Sequence, residues 1–144
     1  MSDVPFDDGN CFACGPENPI GMHLHFERAP GEGVISRATL GAQFQGWRGI
    51  AHGGIVMMLL DEAMAHACRF AGDKAVTASA DVRFRAPVPL GVPLAVRGRV
   101  RERRRNVLFL EATVARADAP HEALATAAGT FVSQGPLREI QART

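Results

Sequence analysis

The stretch QGWRGIAHGGIVMMLLDEAMAHA, residues 45–67, decides how the whole chain is read. Its six consecutive apolar residues, Ile55 to Leu60, cover every side of a 3.6-residue turn, which predicts a helix buried nearly all round. The run ends on two carboxylates, Asp61 and Glu62. On helical spacing Glu62 shares a face with His66 and Arg69, a polar stripe, so it and His66 are expected at the surface. Asp61 instead has Gly54, Met57, Met58, Met64, Ala65 and Cys68 as same-face neighbours, none of them charged. A carboxylate there must find a hydrogen-bond partner or raise its pKa. Two readings remain open at this point: a structural bond to a neighbouring strand, or a reactive group.

Just before the helix, His52-Gly53-Gly54 places exposed backbone N–H groups at a positive helix end. Such a turn suits an oxyanion or a polarised carbonyl, and glycine lets a ligand approach the main chain. It also suits a plain tight loop. Gly53 and Asp61 are separated by 61 − 53 = 8 residues, about 12 Å along a helix axis. An oxyanion donor and a general base must both come within about 3 Å of one reacting centre. One chain does not readily supply both, whereas a two-fold dimer with antiparallel central helices brings Gly53 of one subunit to Asp61 of the other.

Outward from this helix the signals are those of strands. Residues 1–19 are rich in Gly, Pro, Asp and Asn and form an irregular lead-in. Met22, Leu24 and Phe26 alternate with His23, His25 and Glu27, as in a half-buried strand, and Val34 to Leu40 follows the PGEG turn. In residues 76–88, Val76, Ala78, Ala80, Val82, Phe84 and Ala86 fall on one face and Thr77, Ser79, Asp81, Arg83 and Arg85 on the other; Pro87 and Pro89 end the strand. Leu94, Val96 and Val100 alternate with Arg97, Arg99 and Arg101, and the RERRRN tip leads into Val107 to Arg116, a hairpin. The last strand, about Leu124 to Ser133, is so dominated by Ala, Gly and Thr that something bulky must pack against it. One helix with five to six mostly antiparallel strands predicts an α+β fold of the hotdog kind, a curved sheet wrapped around one long central helix.

Composition bounds the function classes. A chain of 144 residues with 47% hydrophobic and 22% charged residues is expected to be a single domain, 1–144. Its net charge of +1 is unlike that of a nucleic-acid binder, although Lys74 is the only lysine and the other cations are arginine. No basic leader precedes an apolar run, and no apolar run approaches ~20 residues, so a cytoplasmic protein without membrane contact is expected. Three cysteines form no disulfide framework, in keeping with a reducing compartment.

The segments CFACGPENPIGMHLHF (11–26), GIAHGGIVMMLLDEAMAHA (49–67) and TASADVRFRAPVPLG (77–91) together resemble the hotdog-fold acyl-coenzyme A thioesterases, specifically the PaaI-like group. The resemblance implies that Gly53 N–H polarises a thioester carbonyl and that Asp61, from the opposite subunit, acts as general base or nucleophile. It further implies that His52 orients the loop or contacts the thioester, and that Thr77 assists the attacking water. Several members carry Asn or Gln six residues before the motif histidine; here that position is Gly46, and Gln45 lies one residue earlier. The expected partners are acyl-coenzyme A and a second copy of the chain, as homodimer or dimer of dimers, with no cofactor.

Gly54, beside Gly53, belongs to the same substrate-binding turn. Arg83, Arg85 and the cluster Arg103 to Arg105, with Arg104 at its centre, are candidates for the phosphates of coenzyme A, since guanidinium binds phosphate bidentately. Alternating arginines equally describe a solvated sheet face. Cys11 and Cys14 form a CxxC that His23 and His25 could extend toward a zinc set, but the spacing is irregular, and a buried pair of thiols without metal is expected. Two other classes compete with hydrolysis. A hotdog hydratase or dehydratase needs a His paired with a carboxylate, which the separation of His52 from Asp61 does not favour. A non-catalytic acyl-CoA-binding module needs the fold and arginines alone, and gains nothing from a carboxylate on an apolar stripe.

Overall fold

A computed structural model describes residues 7–137; residues 1–6, the start of the expected lead-in, and 138–144 lie outside it. Along the chain come β1 (Glu27–Arg28), β2 (Val34–Thr39), a short 3-10 turn at Ala42–Phe44, helix α1 (Gly53–Phe70), β3 (Asp73–Phe84), β4 (Pro93–Arg104), β5 (Val107–Arg116) and β6 (Ala123–Pro136). The strands form one antiparallel sheet in the order β1-β2-β4-β5-β6-β3, with α1 against its inner face. The β4–β5 hairpin turns at Arg105–Asn106, where Arg105 takes a left-handed φ of 57°.

The core lies between helix and sheet. Val56, Leu59, Leu60, Ala63, Met64, Ala67 and Cys68 of α1 are buried against Leu94, Val96, Leu108, Leu110, Val114 and Phe131. The bulky group that β6 accommodates is Met64: a Cβ added at Gly129 would stand 2.9 Å from its sulfur. On β4 the approach is closer still, since a Cβ at Gly98 would stand 2.4 Å from the carbonyl oxygen of Ala63. Small residues at these two positions let the sheet close onto the helix backbone.

Three expectations need correction. Met22 to Glu27 alternates as expected, with Leu24 and Phe26 buried, but only Glu27–Arg28 joins the sheet. Met22 and Leu24 instead donate their N–H groups to the carbonyls of Phe12 and Ala13, and His23 takes a φ of 52°, so this segment is held by the lead-in.

Helix α1 is not buried all round within one chain. Gly53, Gly54 and Met57 are exposed, and Asp61 is half-buried, because the sheet covers one side only.

The alternation of β3 also changes phase. Thr77 lies opposite Phe131 and Ser79 opposite Thr130, with Ala78 extra between them, a β-bulge. Before the bulge Thr77 faces the helix; beyond it Ala80, Val82 and Phe84 do so, opposite Gly129, Ala127 and Ala125. Val76 is therefore on the outer side, 41% exposed.

Candidate functional site

The N-terminus of α1 is built from its own backbone. His52 is the N-cap: its Nδ1 accepts the N–H of Gly54 at 2.9 Å, and its carbonyl accepts those of Ile55 and Val56. Among the described residues the N–H of Gly53 is then the first-turn donor without an acceptor, at the positive end of the helix. It opens on a cleft of about 530 Å³ lined by Trp47, His52, Gly53, Val56, Phe84 and Arg85. Trp47 is 85% exposed and Phe84 53%, so the mouth of the cleft is apolar. Sequence reasoning missed both as site residues: Phe84 reads as core, and the only signal for Trp47 is that the single tryptophan stands beside HGG.

Asp61, two turns along, lies on the half-exposed side of α1. Its one hydrogen-bond partner among the described residues is Thr77, whose Oγ1 donates to Oδ1 at 2.7 Å. Burial pushes the Asp61 carboxyl above its ordinary value, with the Glu62 charge adding to the rise, while the Thr77 hydroxyl works the other way. The other carboxylate oxygen, Oδ2, carries no hydrogen bond among the described residues. The arrangement is a carboxylate with a raised pKa, oriented through one oxygen and without a hydrogen bond at the other, which is compatible with a proton acceptor.

The loop before the helix is braced by its own hydrogen bonds. Gln45 accepts the N–H of Gly49 through Oε1 at 2.9 Å, and its backbone bridges to Ala51. A Cβ at Gly46 would stand 3.0 Å from the Cα of His52, so the glycine lets this loop pack against the cap.

Arg85 borders both the Gly53 cleft and an outer-face groove, and no acidic partner for it occurs among the described residues. Arg83, which lies 3.3 Å from Asp81, lines the outer-face groove with Arg97 and Arg99. Arg103 binds Asp73, and Arg104 pairs with Glu102 over the Phe109 ring. Arg104 also lies in the strand row that leads through Val107 and Val132 to Val76, at the opposite end of β3 from Arg85.

The polar stripe of α1 departs from expectation. Glu62 and His66 are only 13% and 14% exposed at their side chains, because the lead-in folds over them. His66 stacks on Phe26, and Cys11 and Cys14 come to Glu62. His23 and His25 do not join them: His23 bonds the carbonyl oxygen of Asn18.

A family model described as the thioesterase superfamily matches residues 48–121. In fold the chain is similar to a crystal structure of a thioesterase superfamily protein, with a TM-score of 0.80 and 27% identity over 86% of this chain; it spans only 60% of that one. It is also similar to a Streptococcus mutans protein bound to acetyl CoA (TM-score 0.69, 24% identity, 78% of this chain and 90% of that one). The PaaI protein of the E. coli phenylacetic acid degradation operon matches with a TM-score of 0.71 and 21% identity, over 80% of this chain and 82% of that one. No curated protein matches. The sheet wrapped on one helix is the hotdog fold that the sequence led us to expect.

Proposed function

Because the chain belongs to the thioesterase superfamily, we propose that it hydrolyses the thioester of a small or medium acyl-coenzyme A. The carrying observation is the complementary pair on α1: a Gly53 N–H without an acceptor on an apolar cleft, and a burial-raised Asp61 held by Thr77. The acetyl CoA bound to the Streptococcus mutans relative supports the substrate class.

The site is composite. Gly53 of one protomer faces Asp61 of its partner, as the helical separation of about 12 Å requires. The exposed twelve-residue edge strand β3, with an unpaired backbone edge, and the exposed Met57 beside Asp61 are available for that pairing. Gly53 N–H and the helix end hold the thioester carbonyl oxygen. Asp61 accepts a proton from water through Oδ2 while Thr77 fixes Oδ1, and the water oxygen bonds to the carbonyl carbon. The resulting oxyanion stays on Gly53. The C–S bond then breaks, the sulfur leaves as thiolate and takes the proton from Asp61, and an acid and coenzyme A are released. A nucleophilic Asp61 would reach the same products through an anhydride that water then opens.

Arg85 holds a coenzyme A phosphate at the cleft. A hydratase reading is disfavoured by His52, whose Nδ1 already caps the helix instead of meeting a carboxylate. No helix among the described residues is long and apolar enough to cross a membrane. The test is a panel of acyl-CoAs varying in chain length and ring content, with released thiol followed spectroscopically. Release from at least one member supports the reading, and no release from any member contradicts it.

A further inference from the structure

The cysteines outside the proposed site converge on a helix residue that is 62 − 11 = 51 positions away in sequence. The turn carrying them is tight: Gly15 N–H donates to the carbonyl of Cys11 at 2.8 Å, and a Cβ at Gly15 would stand 2.4 Å from both Cys11 N and Gly9 O. The buried Ala13 and the two backbone bonds to residues 22 and 24 fix that turn against the body of the protein. Both thiol sulfurs and a Glu62 carboxylate oxygen lie within 4.8 Å of one another, with Cys11 Sγ 3.9 Å from Oε1. Tetrahedral zinc with bonds of about 2.0 to 2.3 Å needs ligand atoms about 3.3 to 3.8 Å apart, so a small inward movement closes the set.

The two Glu62 oxygens are divided: Oε1 faces Cys11 Sγ, and the buried Oε2 stands 3.2 Å from Nε2 of His66, at ion-pair distance. A cation between the three ligands would settle this carboxylate on one side while His66 steadies it on the other, the usual arrangement around a ligating carboxylate.

We propose that Cys11, Cys14 and Glu62 form a zinc site that straps the lead-in to helix α1. Two thiolates with one carboxylate select zinc over hard cations such as magnesium or calcium. Binding displaces the two thiol protons to solvent, with no change of oxidation state. The fourth position, on the cleft of about 440 Å³ that Asp7, Asp8 and Arg69 also line, is left for water. The sequence reading expected a thiol pair without metal and weighed only His23 and His25 as further ligands, whereas the fold brings Glu62 to the pair. The inference does not depend on what Asp61 does.

The experiment is metal analysis of the whole chain, purified under reducing conditions and equilibrated with zinc, together with thiol alkylation counted by intact mass before and after a chelator. The expected result is about one zinc per chain. Cys11 and Cys14 should be protected until the chelator is added, while the fully buried Cys68 stays unmodified throughout. Cobalt in place of zinc should give a thiolate charge-transfer band. Cys14→Ser and Glu62→Gln should lose the metal, and His66→Gln should weaken it about 10- to 100-fold. If the serine variant does not fold, wild-type protection and the cobalt spectrum decide. A folded wild type that retains no zinc, or equal alkylation with and without it, overturns the proposal, as does undiminished zinc in both variants.

Discussion

Thr77 reaches Asp61 because β3 is bulged at Ala78: the extra residue turns Thr77 toward the helix, and its hydroxyl donates to Oδ1 at 2.7 Å. In an unbroken strand that placed Ala80 and Val82 on the helix, Thr77 would point to the outer side. The bulge is therefore a feature of the proposed site as much as of the sheet.

Thr77→Val keeps the shape of the side chain and removes the donor. A hydrogen bond to a charged group contributes about 1.5–3 kcal/mol, so turnover should fall roughly tenfold or more, with Thr77→Ser restoring most of it. Steady-state kinetics of both variants check this; equal rates for Val and wild type would make the bond structural.

Light scattering should find a dimer or dimer of dimers at every concentration that supports full activity. This follows from the separation of Gly53 and Asp61, about 12 Å along one helix. A fully active monomer would remove the composite site.

Arg85→Ala should raise KM more than it lowers kcat, because a contact to a phosphate that takes no part in the reaction binds ground and transition states alike. Thioesters shortened to the pantetheine arm should not respond. Arg104→Ala, already paired with Glu102 at the far end of the sheet, serves as comparison and should leave both substrates unaffected. Equal responses of long and short substrates to Arg85→Ala would assign that arginine a structural role.

Acid stability should depend on Asp73. The Arg103 guanidinium, which bonds it, holds its carboxyl below the usual range against the effect of burial, and Ser133 adds a second donor. A carboxyl with a depressed folded value contributes stability that is fully present above its unfolded pKa of about 3.9 and is lost as pH falls through the folded value. Denaturant titrations across that acid window should show wild-type stability falling more steeply than that of Asp73→Asn. Parallel slopes would mean that the ion pair contributes nothing to folding.

What was legible in the sequence was what is local. The helix from Gly53, the β4–β5 hairpin and β2 announce themselves through period and turn residues, and the Ala and Gly of β6 announced a bulky neighbour. The bulge at Ala78 was not legible, because the letters alternate without a break and only pairing with β6 shows the slip. Nor was the cover over Glu62 and His66: helical spacing places them together, but the lead-in that buries them comes from far along the chain. The unpaired Gly53 N–H was foreshadowed by HGG, yet the capping by His52 that singles it out needed the side-chain geometry.

The central claim is that Asp61 carries the proton transfer, and Asp61→Asn measures it most directly. The substitution preserves size and hydrogen-bonding capacity and removes basicity. Turnover of the best acyl-CoA should fall by roughly a hundredfold or more, with substrate binding retained and stability unchanged or higher, since the neutral amide is less costly among Met57, Met58 and Met64. A folded Asp61→Asn protein that hydrolyses the thioester at the wild-type rate but unfolds more readily would contradict the account and leave Asp61 as a structural partner of Thr77.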